Sequence, residues 1–182
     1  MNKVFAKPGA MLRRLWTGEA GTATVEFAIM FPFYVTLFLS AVELGMIHFR
    51  HSMLERGLDM AVRDIRLGTG TNPSHDDIKD AICNYSGVLP SCGTNLRLEM
   101  ILVEPRNYAA PSATADCIDH SEATNPMQGF THGGSNEMML LRACYVFSPV
   151  FPTAGLGYQM PKDGAGNVAM TAASAFVQEP RG

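Results

Sequence analysis

What the chain lacks narrows its chemistry first. None of its four cysteines sits in a C-x-x-C pair, and no G-x-S-x-G, H-E-x-x-H or phosphate-loop pattern occurs. His48 and His51 stand three apart, while His120, His132 and Cys117 are scattered; neither set has recognised ligand spacing. Ser74, His75 and Asp76 are adjacent, but catalytic triads are assembled in space and do not come from neighbouring positions of one helix cap. No enzyme activity, cofactor or metal is therefore expected. The net charge is -3, with acids and bases interspersed. No aromatic residues are interleaved with lysine or arginine, which excludes nucleic acid as an expected partner. Internal repeats and low-complexity tracts are also missing.

What is present is one long apolar stretch, Gly21 to Met46. From Phe27 to Val42 it runs for sixteen residues without a charge, and as far as Phe49 it admits only Glu43. About 23 residues at ~1.5 Å each reach roughly 34 Å, enough to cross a bilayer. Glu26 lies near the start of this span, where an ionisable group costs about 2.5–3.5 kcal/mol unless the interface or a partner relieves it. Two explanations stand: Glu26 is solvated at headgroup level, or it meets a cation created by processing at Gly21. Pro32 lacks the N–H that would bond the carbonyl of Ala28, so a bend or loosening is expected there. Glu43, nearer the far interface, is expected to be solvated or paired beside His48, Arg50 and His51, with packing against another subunit as the alternative.

The stretch continues as an amphipathic helix. Met53, Leu54, Leu58, Ala61, Val62 and Ile65 recur at spacings of three and four, and Gly68-Thr69-Gly70 with Asn72-Pro73 supplies the stop. A continuous helix from Thr22 to Leu67 is expected, roughly 69 Å long, its upper half packed on the domain that follows. Residues 1–20 carry Lys3, Lys7, Arg13 and Arg14 against one acid, Glu19, in the manner of an export leader. Arginines flank the span on the other side too, so charge leaves orientation open. An ordinary signal-peptide cut near Ala41 is disfavoured by Leu39 three residues back and by the length of the apolar run.

Cys83, Cys92, Cys117 and Cys144 all follow the span, which suits a disulfide-forming compartment and places the domain outside with the N-terminus in the cytoplasm. Three pairings are possible; Cys83–Cys92 is favoured for its short loop with Gly87, Pro90 and Ser91, leaving Cys117–Cys144. Ser74 opens a short helix through about Tyr85 with Ile78, Ala81 and Ile82 inward. Residues 95–104 and 167–177 alternate as strands and 138–147 reads as another; joined by long excursions, the three suggest an antiparallel sheet against which the long helix lies. In the first, Leu96, Leu98, Met100 and Leu102 share one face; in the third, Val168, Met170, Ala172, Ser174 and Phe176 do. The 105–136 segment is too long for a mere connector and reads as mobile or as an interaction surface tethered by Cys117. Residues 148–166 form a second excursion, with Val150, Phe151, Leu156 and Tyr158 set to meet a partner or to fold under the loop.

A basic leader, Gly21, Glu26 at the fifth position after it and an apolar helix together resemble the processing site of type IV prepilins. Gly18 would place Ala23 there instead. More narrowly, V-E-F-A-I-M-F-P at 25–32, E-L-G at 43–45, the amphipathic helix and a strand ending T-A-A-S-A-F-V-Q-E resemble the TadE-like pseudopilins of tight-adherence (Flp) pili. The likeness is dense over residues 18–67 and only compositional over 68–182. The TadF type is a near alternative, and the four cysteines and long central loop depart from the family.

The resemblance implies an α+β, pilin-like chain: a leader at 1–21, a transmembrane helix at 22–49, an amphipathic extension at 50–67 and a periplasmic domain at 68–182 on a small antiparallel sheet. It implies a minor pseudopilin of the bacterial inner membrane, cut by a prepilin peptidase between Gly21 and Thr22 ahead of Glu26 and Phe27. The new amine of Thr22 would pair with Glu26 of the same or a neighbouring subunit, and Glu26, Pro32 and Glu43 would serve helix packing in assembly. Its partners would be the peptidase, other TadE/TadF-type pseudopilins, the major Flp pilin, the inner-membrane platform and the lipid bilayer. A signal-anchored periplasmic binding module is the competing reading, and a membrane-tethered hydrolase a weaker third.

Overall fold

The computed structural model describes residues 21–67, 72–124, 126 and 129–180. The basic leader residues and the Gly68–Gly70 stop lie outside the described residues. Helix α1 runs from Thr22 to Leu67 without interruption, continuing through Pro32. Its composition changes halfway, and so does its environment. Residues 21–34 are all exposed, whereas from Val35 onward a stripe of half-buried and buried positions faces the rest of the chain. That stripe begins well before residue 50, where the charged amphipathic pattern starts.

Helix α2 (His75–Ser86) begins at Ser74, whose hydroxyl accepts from the Asp77 N–H while the Asp77 carboxylate accepts from the Ser74 N–H. The hydroxyl and N–H of Ser74 hold Asp77 below the usual carboxylate range. The helix ends at Gly87, where φ is 64° and the N–H returns to the Cys83 carbonyl. Ile78 and Ile82 are buried against α1. Gly57 permits that approach: a Cβ there would stand 2.7 Å from the Ile82 carbonyl oxygen. A single turn, α3 (Cys92–Asn95), then leads into the sheet.

Strands β1 (Leu96–Val103), β2 (Met138–Phe147) and β3 (Val168–Val177) form an antiparallel sheet in the order β1-β2-β3. Alternation decides its two faces. Leu96, Leu98 and Met100 of β1 lie opposite Tyr145, Ala143 and Leu141, and together with Val168, Met170, Ala172 and Phe176 of β3 they face the α1 stripe of Leu54, Leu58, Ala61 and Val62. Leu102, placed by alternation on the same face as these leucines, is exposed near the end of β1. Each fully buried Leu or Ile in this core contributes about 1.5–3 kcal/mol.

The other face explains why β2 reads as apolar on both sides. The segment after β1, expected to be mobile or an interaction surface, is laid across it. Cys117 is bonded to Cys144 of β2, and Cys83 to Cys92. The Arg142 guanidinium donates to the Glu99 carboxylate directly across the strands (Nε, 3.0 Å) and to the Ser112 carbonyl at 2.7 Å. Arg97 pairs with Asp116 at 3.2 Å. Residues 129–131 then add a parallel bridge beside β1, with Gly129 and Thr131 bonded to the Met100 backbone.

Candidate functional site

The candidate site is the lower half of α1. Gly21 stands at the edge of the helix, and among the described residues outside its own helix nothing lies within 4 Å of where its Cβ would be. Thr22 opens the helix, and Glu26 is exposed one turn in. Four residues is close to one helical turn, so positions 22 and 26 share a face. Phe27 and Phe31 follow on the same spacing, their ring centroids 5.1 Å apart. Val25, Phe27, Ile29, Phe33, Tyr34, Leu37 and Phe38 are each at least 60 % exposed. A helix so apolar and so bare is long and apolar enough to cross a membrane.

Pro32 sits in the middle of this bare length. Its carbonyl accepts from the Thr36 hydroxyl at 2.8 Å, and the Thr36 carbonyl accepts from Ser40 at 2.8 Å. Two hydroxyls thus bond back onto the helix within the apolar run, satisfying themselves where water is scarce.

Glu43 departs from expectation. It is neither solvated nor paired with His48, Arg50 or His51; it is 1 % exposed. Its carboxylate accepts from the backbone N–H of Val150 (3.1 Å) and of Phe151 (2.8 Å). One turn below, the Ser40 hydroxyl accepts from the Leu156 N–H at 3.2 Å. Residues 149–160, including the short helix α4 (Gly155–Gln159), therefore form a collar seated on one side of α1. Gly155, with φ of 56°, fits against Ser40 because a Cβ would stand 2.5 Å from its hydroxyl oxygen. A buried carboxyl group that takes up two backbone N–H groups leaves neither unsatisfied, so Glu43 fixes the collar's position. Ser40 and Gly155 are not distinguishable in the sequence; the only trace is the i,i+3 spacing of Ser40 and Glu43 on one helix face.

His48 is exposed, and the other polar candidates are engaged in structural contacts. The Ser74 hydroxyl is committed to Asp77, while His75 lies between Asp76 (3.0 Å) and the Leu98 N–H (3.3 Å). His51 contacts the Thr171 carbonyl, His120 contacts Asn95, His132 stacks edge-on with Phe130, and Cys117 is in a disulfide. Among the described residues no group of three or more His, Cys, Asp or Glu is placed to hold a metal.

Comparison with known proteins fits this emphasis on α1. The family model for TadE-like proteins matches residues 21–63, beginning at Gly21 and ending within α1. No curated protein and no solved structure matches the chain.

Proposed function

We propose that this chain is a minor pseudopilin of the TadE-like kind: a single-pass subunit cut after Gly21 that supports assembly of Flp-type pili from the inner membrane. A Tad pilus-associated membrane protein fits both the family match and the long apolar helix. The observation that carries the finer reading is the bare lower half of α1, with Gly21 exposed at its edge and Glu26 one turn beyond. A peptidase needs the bond after Gly21 free of the folded domain, and among the described residues nothing approaches the Gly21 Cβ position within 4 Å. Cutting there would create an ammonium on Thr22 on the same helical face as Glu26. In a low-dielectric surround the two charges would attract strongly, offsetting the cost of bringing the carboxylate into the bilayer and setting the register between neighbouring helices.

The subunit is then a structural, non-catalytic component whose N-terminus is cytoplasmic and whose disulfide-bonded domain is periplasmic. The peptidase, sibling pseudopilins, the major pilin and the platform would all meet the lower helix.

Co-expression with a prepilin peptidase tests the reading. The mature chain should begin at Thr22, with residues 1–21 lost from the intact mass. An unchanged mass in the presence of an active peptidase overturns it and favours a signal-anchored module.

A further inference from the structure

The bare length of α1 is too short for the membrane it is to cross. Residues 22–34 rise about 20 Å, against a hydrocarbon layer of about 30 Å. The remaining depth falls on residues 35–42, which still carry no charge. That is the stretch on which the collar is seated, through Ser40 and the neighbouring Glu43. The collar therefore lies at the level of the bilayer rather than above it.

Its outward chemistry suits that level. Tyr158 is 63 % exposed, Val150 is exposed too, and Leu37 and Leu44 are exposed on the adjoining helix. Between Leu37 and Leu44 on one side and Leu156 and Tyr158 on the other runs an open groove of about 660 Å³. The Lys162 amine bonds the Pro152 carbonyl at 3.0 Å and stands 5.7 Å from the centre of the Tyr158 ring. A tyrosine with a lysine beside it, above an apolar groove, matches the headgroup layer, where amphipathic rings and cationic tips are favoured. The collar's inward chemistry suits the same place. The N–H groups of Val150, Phe151 and Leu156 are bonded to side chains of α1, so they do not require water at a depth where little is available.

We infer that the collar of residues 149–160 is seated in the membrane, with Tyr158 and the following Lys162 in the outer headgroup layer and the groove beside Leu37 filled by lipid. This rests on the reading of α1 as a membrane span, and the test separates the two. Full-length protein with Trp16→Phe would be reconstituted in phosphatidylcholine vesicles, carrying a single tryptophan as Tyr158→Trp, Phe33→Trp or Tyr108→Trp. The vesicles would contain lipid brominated either near the headgroup or near the chain ends.

The Tyr158→Trp protein should have a blue-shifted emission maximum relative to the Tyr108→Trp protein. It should also lose more emission to bromine near the headgroup than to bromine near the chain ends. The Phe33→Trp protein should be quenched by bromine within the bilayer, and the Tyr108→Trp protein, labelled on the central loop, by neither lipid. Quenching of the tryptophan at position 33 without quenching of the one at 158 overturns the collar while leaving the span intact. A blue shift at position 158 without bromine quenching means that a protein surface covers the site, which also overturns it. Absence of quenching at position 33 removes the span and the collar together.

Discussion

The two lengths of α1 belong to one unbroken helix, yet they are held by different surroundings. From residue 21 to 34 every position is exposed, and aromatic and aliphatic side chains point out on every side. From Val35 to Leu67 the helix buries one stripe, and beyond residue 50 it shows charge on the other. A helix hydrophobic all round needs an apolar surround, and an amphipathic one needs a core. The lower length thus calls for an apolar surround that the described domain does not give it, and the upper length packs on its own domain. The collar occupies the changeover.

The largest expected contrast comes from removing equivalent leucines. Leu58→Ala, at a position 1 % exposed, should lower domain stability by about 3 kcal/mol, as other buried Leu→Ala changes do. Leu37→Ala, at 71 % exposed, should leave the denaturant midpoint of the domain unchanged. Equal losses at the two sites would mean that the exposed helix face at Leu37, next to the bare length, is packed in the folded monomer, and the contrast would collapse.

A smaller effect is expected at the changeover. Glu43→Leu leaves the Val150 and Phe151 N–H groups without their acceptor, at a cost of about 1–3 kcal/mol. The loss should be local, seen as faster hydrogen exchange at residues 150–160 with the sheet still protected. Exchange that rises throughout the domain would show that the collar and sheet open as one unit.

The smallest is a pair of glycines. Gly57→Ala places a methyl 2.7 Å from the Ile82 carbonyl oxygen and should destabilise the domain by about 1–2 kcal/mol, despite alanine's better helix propensity. Gly45→Ala meets nothing within 4 Å among the described residues outside its own helix and should be neutral or slightly stabilising by thermal denaturation. A reversal of these signs would show that the α1–α2 contact has room that the close approach denies.

The elements most legible in the sequence are those whose pattern is local. Thr22–Leu67 follows from an uncharged run joined to a period of three and four, and the Ser74–Asp77 cap marks α2 within four residues. The strands are visible through alternation in β1 and β3 and through the apolar run of β2. The α+β arrangement, with the long helix on an antiparallel sheet, follows from these signals together. Turns α3 and α4 are not legible, because they are short and rest on tertiary contacts. Ser91 adopts a positive φ of 51° ahead of α3, and Gly155 needs the Ser40 contact to make sense.

Long-range polar partners are hidden for the same reason. In sequence Glu43 reads as a partner of its neighbours, yet its acceptor role is met 107 and 108 residues away. Arg142 and Glu99 are readable as residues of strands, but their pairing depends on the register. That register also decides which segment roofs the second face. The central loop reads as mobile because its composition carries no periodicity; its order comes from a disulfide, from the Arg97–Asp116 ion pair and from hydrogen bonds of Arg142 to Ser112, which composition does not display.

The continuity of α1 also has a mechanical consequence. It is a rod of roughly 69 Å whose helical backbone runs unbroken from base to core, and its distal end is welded to the sheet. A thrust applied at the Gly21 end is therefore delivered to the head without slack, and a twist at the base turns the head with it. With the collar seated in the bilayer as inferred above, it would act as a flange on that rod: pushing the base outward would lift the flange from its seat against a restoring load from the lipid.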